Sequence, residues 1–399
     1  MRHIISSLTF FFAVQFIVAG TDPVAVSNTA VTGAFPIVSG NQATTIVVDS
    51  LDIEVVTVAA TAFAGDVQLI TGLRPALANT ISVPKPMIVG TLNSTFIQQL
   101  IDAGKIDITK LDGKWETFLI TVIDNPLSGV DQALVIAGSD PRGAAFGVFE
   151  LSRMMGVSPW VWFADVLPEP KEEIYVTSGE SIFGPPSVKY RGMFINDEDW
   201  GMQPWAAKNM DPGIRPNGRG DIGPNAHERI FEMMLRTKSN YFWPAMHNCT
   251  KAFFFYKENP VVARKYQIAL GGSHCDILLR NNEDEWRNNF VTEYGRQPGE
   301  YNWRTNRQTL ITYWGDRIKE SINNPAVYGI GMRGIHDSGI EGYNSDQERK
   351  AALEDLFTTQ RSMLQDTLGK PANQIPQIFI PYKEVLPVYN LGLRVPDDV

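Results

Sequence analysis

The first half of the chain sets short apolar runs between turn residues. "TTIVVDS" (Thr44–Ser50), "VVTVAA" (Val55–Ala60), "PMIVGT" (Pro86–Thr91), "TFLITVID" (Thr117–Asp124) and "ALVIAG" (Ala133–Gly138) are rich in β-branched residues and read as strands. Two segments among them carry helix signals instead. Ser94 to Ala103 is stopped by Gly104, and "SDPRGAAFGVFELSRMMG" offers Asp140 as a cap, Pro141 at the first helical position and Gly156 at the end. Up to about Ile182 the pattern predicts a compact α/β sandwich. Polar residues are scattered through it, so its expected role is structural.

The rhythm changes after "SGESIFGPPSVKY" (Ser178–Tyr190), where Gly, Pro and Ser gather as at a domain entry. Apolar runs now alternate with longer helical segments. "YRGMFI" precedes a helix near Ala226–Thr237, "NYFW" one near Pro260–Lys265, and "QIALGG" one near Arg307–Ser321; "VYGIGM" precedes one near Gln347–Leu368, and "PQIFIP" follows. Repeated βα units predict a parallel sheet covered by helices. A complete (β/α)8 barrel takes about 250 residues, and about 215 follow the linker here. The expected fold class is therefore α/β: a small N-terminal α/β sandwich domain (21–182), then an incomplete (β/α)8 TIM-type barrel (183–399) with about five βα units. The chain is read as a piece of a longer protein.

Composition narrows the function. With 399 residues, 44% of them hydrophobic, the chain can bury a large core. A net charge of -9 leaves no basic stripe for a phosphate backbone, so no nucleic-acid partner is expected. Residues 1–20, "MRHIISSLTFFFAVQFIVAG", have a charged start, an apolar run from Leu8 to Ala19 and small residues for cleavage. That is the anatomy of a secretory signal peptide, too short for a span, and it predicts a secreted, extracellular protein without a membrane partner. The two cysteines, Cys249 and Cys275, build no disulfide framework. Asn93 in "NST" is a credible glycan acceptor, whereas Asn248 in "NCT" falls within the candidate site.

In a (β/α) barrel, the residues that follow each strand share one mouth. Here "YRGMFI" leads to Asn196, Asp197, Glu198 and Asp199, "NYFW" to Met246, His247 and Asn248, and "QIALGG" to Ser273, His274 and Asp276. "VYGIGM" leads to Arg333, His336, Asp337 and Glu341, and "PQIFIP" to Tyr382, Lys383 and Glu384. Successive strand side chains face opposite ways, so if Asp197 faces the pocket, Glu198 faces away and Asp199 either buttresses the loop or caps a helix. Acids mixed with imidazoles, cations and nearby Trp200, Trp205 and Trp243 suit a saccharide pocket, with Trp243 the preferred stacking residue. Two carboxyls can protonate a leaving oxygen and activate water. Arg333 and Lys383 either grip a substrate carboxylate or pair with the neighbouring acids.

These segments carry a resemblance. "YRGMFINDEDWG", "PWAAK", "DIGP", "WPAMHNCTKAFF", "GSHCDILLRNN", "YNWRTN", "GMRGIHDSGIEG" and "PYKEVLPVYNLGLRVPDDV", in order across Tyr190–Val399, resemble glycoside hydrolase family 115, the xylan α-1,2-glucuronidases. The resemblance implies inverting hydrolysis of the α-1,2 bond that joins glucuronic acid or its 4-O-methyl ether to glucuronoxylan or a xylo-oligosaccharide. It implies no cofactor and no metal, and dimerisation of a full-length form. It places Asp197, Asp337 and Glu384 on active-site carboxylates, with Glu384 favoured as general acid and Asp337 in the machinery that activates water. Asn196, His274, Arg333 and Tyr382 fall on positions associated with the sugar; Trp243, His336 and Lys383 join them as substrate-binding candidates. One departure is Asp276, where the family usually has Glu.

Two rivals come from other classes. A metal-dependent hydrolase would use His247, His274, His336 and Asp337 as ligands, although such barrels often open with His-x-His where this chain has Asn-Asp-Glu-Asp. A non-catalytic carbohydrate-binding fragment would bind glucuronoxylan without releasing sugar.

Overall fold

The computed structural model describes residues 22–196 and 198–399. The leader at 1–20 and Asp197 lie outside the described residues. The fold is mixed α/β.

The first unit contains ten strands: β1 (Val26–Ser27), β2 (Phe35–Ser39), β3 (Gln42–Ala43), β4 (Thr45–Val48), β5 (Ala76–Ala78), β6 (Pro86–Thr91), β7 (Phe118–Asp124), β8 (Gln132–Gly138), β9 (Ile174–Val176) and β10 (Glu180–Phe183). Its helices are α1 (Glu54–Thr71), α2 (Thr95–Asp102) and α3 (Pro141–Met155). A six-stranded mixed sheet runs β10-β7-β8-β6-β4-β5, and a small sheet runs β1-β9-β2-β3. Alternation along β6 explains the layering. Met87 and Val89 face the core shared with α1 and α3, while Ile88 faces the second core with Ile97 and Leu100 of α2.

Val55–Ala60, expected as a strand, is instead the start of α1. Val55, Val56, Ala59, Ala60, Phe63, Ala64 and Val67 are all buried, which is helical spacing. By length and composition α1 could cross a membrane, but half of it is buried inside the protein. The ends of α3 follow their local chemistry: Asp140 accepts the Gly143 N–H at 2.8 Å, and Gly156 closes the helix at φ 101°.

The second unit contains β11 (Gly192–Phe194), β12 (Tyr241–Trp243), β13 (Ala269–Leu270), β14 (Tyr328–Gly329) and β15 (Gln377–Ile378). Around them lie α4 (Met202–Asn209), α5 (Pro224–Arg236), α6 (Glu258–Lys265), α7 (Phe290–Tyr294), α8 (Arg307–Glu320), α9 (Asp346–Leu368) and α10 (Val385–Asn390). β11, β12 and β13 pair in parallel, β14 pairs with β15 in parallel, and a parallel bridge from Leu270 to Ala326 joins the two groups. The strands therefore follow one another in chain order. Phe242 turns towards α5 and packs edge-on against Phe231 and His227, which leaves Tyr241 and Trp243 on the opposite face. β11 approaches β12 so closely that a Cβ on Gly192 would sit 1.7 Å from the Tyr241 carbonyl oxygen. A side chain has no room there.

Buried charges fasten the two units together. The Glu116 carboxylate, from the first unit, accepts from Arg142 and from Arg191 (both 2.5 Å) and from the Asn240 amide (2.6 Å). Asp66 of α1 takes both terminal nitrogens of Arg236 from α5, which also holds Glu232. Removing one partner from such a set strands a charge in the interior, so these contacts fix the docking geometry. Cys249 and Cys275 are both free.

Candidate active site

Hydrogen bonds stitch the loops at the strand ends together in sequence order. From the β11 loop, Glu198 accepts the His247 N–H of the β12 loop at 2.5 Å. Asn281, after β13, donates to Met246 O at 3.1 Å, and Asn282 accepts the His336 N–H of the β14 loop at 2.9 Å. His274 meets Asp337 at 3.1 Å, and Arg333 holds Glu384 of the β15 loop. Residues far apart in the chain are thereby fixed at one end of the parallel strands.

The densest part is centred on Arg333, which is 2% exposed. Its Nε and one terminal nitrogen donate to the two Glu384 oxygens at 2.9 and 2.7 Å, and the other terminal nitrogen donates to Asp337 Oδ1 at 2.9 Å. Lys383 donates to Asp337 Oδ2. Tyr382 lies under the Arg333 guanidinium and packs against the His274 ring, with centroids 4.2 Å apart. Of the two roles expected for Arg333, pairing with the acids is the one realised here; its donors are already taken.

Burial opposes ionisation of Asp337, but the hydrogen bonds from Lys383, Arg333 and His274 outweigh it and hold the carboxyl well below the usual range. Such a group stays ionised and cannot act as the acid. Burial lowers the His274 pKa, and the Asp337 hydrogen bond only partly restores it. A neutral imidazole facing a carboxylate carries its proton on Nε2, which leaves Nδ1 as an acceptor. The backbone beside both carboxylates is strained: His336 has φ 55° and Lys383 φ 49°, left-handed values for residues that bear side chains. Strain of this kind, about 1–3 kcal/mol per residue, persists where the surroundings over-determine it.

On the other side of Asp337 opens a bowl of about 560 Å³, lined by Asp199, His247, Asn248, Arg287 and His336 among others. The His247 and His336 rings lie 5.4 Å apart. Glu198 is fully buried beneath, its Oε2 without a hydrogen-bond partner among the described residues and 3.7 Å from His247 Nδ1. Asp199 stands 3.6 Å from the same nitrogen. Two acids of the "NDED" run thus serve the neighbouring loop. Glu198 and Asn282 were not singled out as site residues from sequence; an acidic run and a polar stretch carry no signal of burial.

Other candidates lie elsewhere or inward. Asn196 is exposed, and among the described residues no hydrogen bond ties its side chain to the cluster. Trp243 stacks edge-on with Phe194 and Tyr241 inside the strand array, its indole N–H buried and unpartnered. Asp276 is buried beneath the site, where its carboxyl accepts from the Ser273 hydroxyl at 3.1 Å, and burial pushes its pKa up to about 7. Among the described residues no group of three His, Cys, Asp or Glu side chains could hold a metal ion. His247 pairs with His336, whereas His274 packs on Tyr382.

The profile of glycosyl hydrolase family 115 matches residues 183–399. A solved structure of a family GH115 4-O-methyl-α-glucuronidase with specificity for decorated arabinogalactans is 38% identical, with a TM-score of 0.80 over 92% of this chain. This chain spans 45% of that protein's length. A GH20 β-N-acetylhexosaminidase from Streptomyces coelicolor A3(2) aligns at 10% identity over 94% of this chain and 75% of its own, with a TM-score of 0.46. An N-acetyl-β-hexosaminidase from Streptomyces plicatus aligns at 13% over 88% and 62%, with a TM-score of 0.44. Neither of these two likenesses adds to the assignment. No curated protein matches the chain in sequence. The family profile takes in every strand end that contributes to the cluster, and a member's structure follows nearly the whole chain: the chain belongs to glycosyl hydrolase family 115.

Proposed function

We propose that this chain carries the catalytic cluster of a secreted α-glucuronidase, which removes α-1,2-linked glucuronic acid or its 4-O-methyl ether from glucuronoxylan with inversion. The strand array is then the first part of a (β/α)8 barrel, about five βα units of it. One observation carries the reading: His274, Arg333, Asp337, Lys383 and Glu384, from three successive strand ends, share one hydrogen-bonded cluster on which the Tyr382 ring packs. Glu384 is the general acid. Both its oxygens are engaged by Arg333, so it first has to leave the guanidinium. An entering uronate competes for the same donors, and a guanidinium accepts a carboxylate through two parallel bonds. Once displaced, Glu384 takes up a proton from solvent and passes it to the leaving oxygen as the glycosidic bond breaks. Asp337, fixed as an anion, orients water together with the neutral His274, and Asp197 is the partner carboxylate carried over from the family.

A second reading concerns the polymer. The 38% identical relative has specificity for decorated arabinogalactans, which supports an arabinogalactan as the substrate. The test is release of free uronic acid from glucuronoxylan and from a uronate-decorated arabinogalactan, with the first-formed anomer followed by proton NMR. Release from xylan as the β anomer supports the first reading, and release from arabinogalactan alone selects the second. An α product refutes inversion, and no release from either polymer refutes both readings.

A further inference from the structure

The cluster around Arg333 accounts for a single acidic sugar. It leaves the adjoining bowl without a role, although Asp337 belongs to both. A sugar branch bonded within the cluster brings its parent chain within a few bonds of Asp337, and the bowl is the open space on that side.

Its chemistry suits an uncharged chain. Asp199, Glu283 and Asp337 line it against one guanidinium, Arg287, which is already held by Glu283 at 3.0 Å. Asp337 is likewise paired, with Arg333 and Lys383, which leaves Asp199 as the net negative charge and disfavours a second anion. The His247 and His336 imidazoles and the exposed Asn248 amide offer donors and acceptors at hydroxyl reach. His247 is fixed in place, with its backbone N–H on buried Glu198 and its ring between Glu198 and Asp199.

The residue after Asp199 is Trp200, and it is 86% exposed. Trp205, five residues on, is by contrast packed against Phe163 and the core. An indole left in water gains nothing for folding. Trp200 directly follows Asp199, which lines the bowl, and its free face is a platform on which a sugar ring stacks.

We propose that this bowl, together with the exposed Trp200 indole that follows its lining residue Asp199, holds the uncharged main chain of the polysaccharide whose uronic acid branch enters the Arg333 cluster. The inference rests on the reading given under Proposed function. It assigns binding of the main chain to Trp200, His247 and Asn248, separately from the residues that take the branch.

The test is isothermal titration of the full chain with two unsubstituted probes, a xylo-oligosaccharide and a galacto-oligosaccharide, alongside the uronic acid release assay. The wild type binds one probe, and Trp200→Ala and His247→Ala each weaken that binding about tenfold or more. Trp200→Ala keeps the wild-type thermal midpoint, because its side chain is almost wholly exposed. Absence of binding to either probe, or wild-type binding by both variants, overturns the proposal. So does a change in sedimentation of Trp200→Ala with sugar binding intact, which would assign the indole to a second copy of the chain. Uronic acid release without oligosaccharide binding refutes the bowl and leaves the proposed activity standing. Oligosaccharide binding lost in the variants, without uronic acid release, supports the bowl and counts against the activity.

Discussion

Replacing Asp276 by asparagine is expected to stabilise the protein at alkaline pH and to leave it nearly unchanged in acid. Asp276 is 7% exposed. Burial is the largest cause of its raised pKa; the Ser273 hydroxyl and N–H work against it, and Glu285 and Glu198 add to it. The folded carboxyl keeps its proton up to about pH 7, whereas the unfolded one loses it near 3.8. Between those values the folded state binds more protons, so stability falls as pH rises and the full deficit is present above pH 7. A gap of about three units at about 1.4 kcal/mol each amounts to about 4 kcal/mol. Asparagine keeps an oxygen for the Ser273 hydroxyl and has no charge to bury. Urea unfolding of both proteins at about pH 4.5, 6 and 8 measures the difference directly. The advantage of Asp276→Asn grows with pH. A difference that stays constant across the range refutes the reasoning, because an uncoupled structural effect of the substitution has no such slope.

Four further outcomes are expected. Glu384→Gln abolishes release of uronic acid from the accepted polymer, and unchanged turnover removes Glu384 from the acid role. Arg333→Ala lowers kcat/KM for a uronic acid substrate more than for its neutral analogue; equal losses contradict competition for the guanidinium. Gly192→Ala forces β11 away from the Tyr241 carbonyl and costs about 3 kcal/mol or more in chemical denaturation, so an unchanged midpoint excludes the close approach. Burial lowers the pKa of His227 to about 4, so it folds neutral, and stability is lost as pH falls from 6.5 towards 4. His227→Leu removes about 3 kcal/mol of that acid sensitivity, measured as the difference between the two unfolding curves against pH.

Much of this fold is legible where a residue type meets a single local demand. Asp140, Pro141 and Gly156 mark the ends of α3 because each satisfies a backbone requirement peculiar to a helix terminus. α1 was misread because Val55, Val56 and Val58 favour strands in a short window; its helical period emerges only when Phe63, Ala64 and Val67 are included. The polar stretch Asn282–Asn289 carries no apolar period, yet it is a wide-turn helix whose Glu285 is buried against Arg280 and Arg317. Tertiary charge pairing decides that segment, and no local pattern encodes it. The candidate site divides the same way. Strand periodicity gathers His274, Arg333, Asp337, Lys383 and Glu384 at one end. Which acids occupy Arg333 depends on rotamers, and which member of "NDED" is buried depends on the loop beside it.

Because the strands of the second unit lie beside one another in chain order, with β13 joined to the segment before β14 by the Leu270–Ala326 bridge, assembly can keep pace with translation. At about 5–20 residues per second, the stretch from Gly192 to Tyr241 takes several seconds to emerge, ample time for one unit to settle before the next arrives. Each newcomer finds a template rather than a disordered coil. On the growing side of the array the sticky unpaired edge is the newest strand, and the next to leave the ribosome is the one that lies beside it.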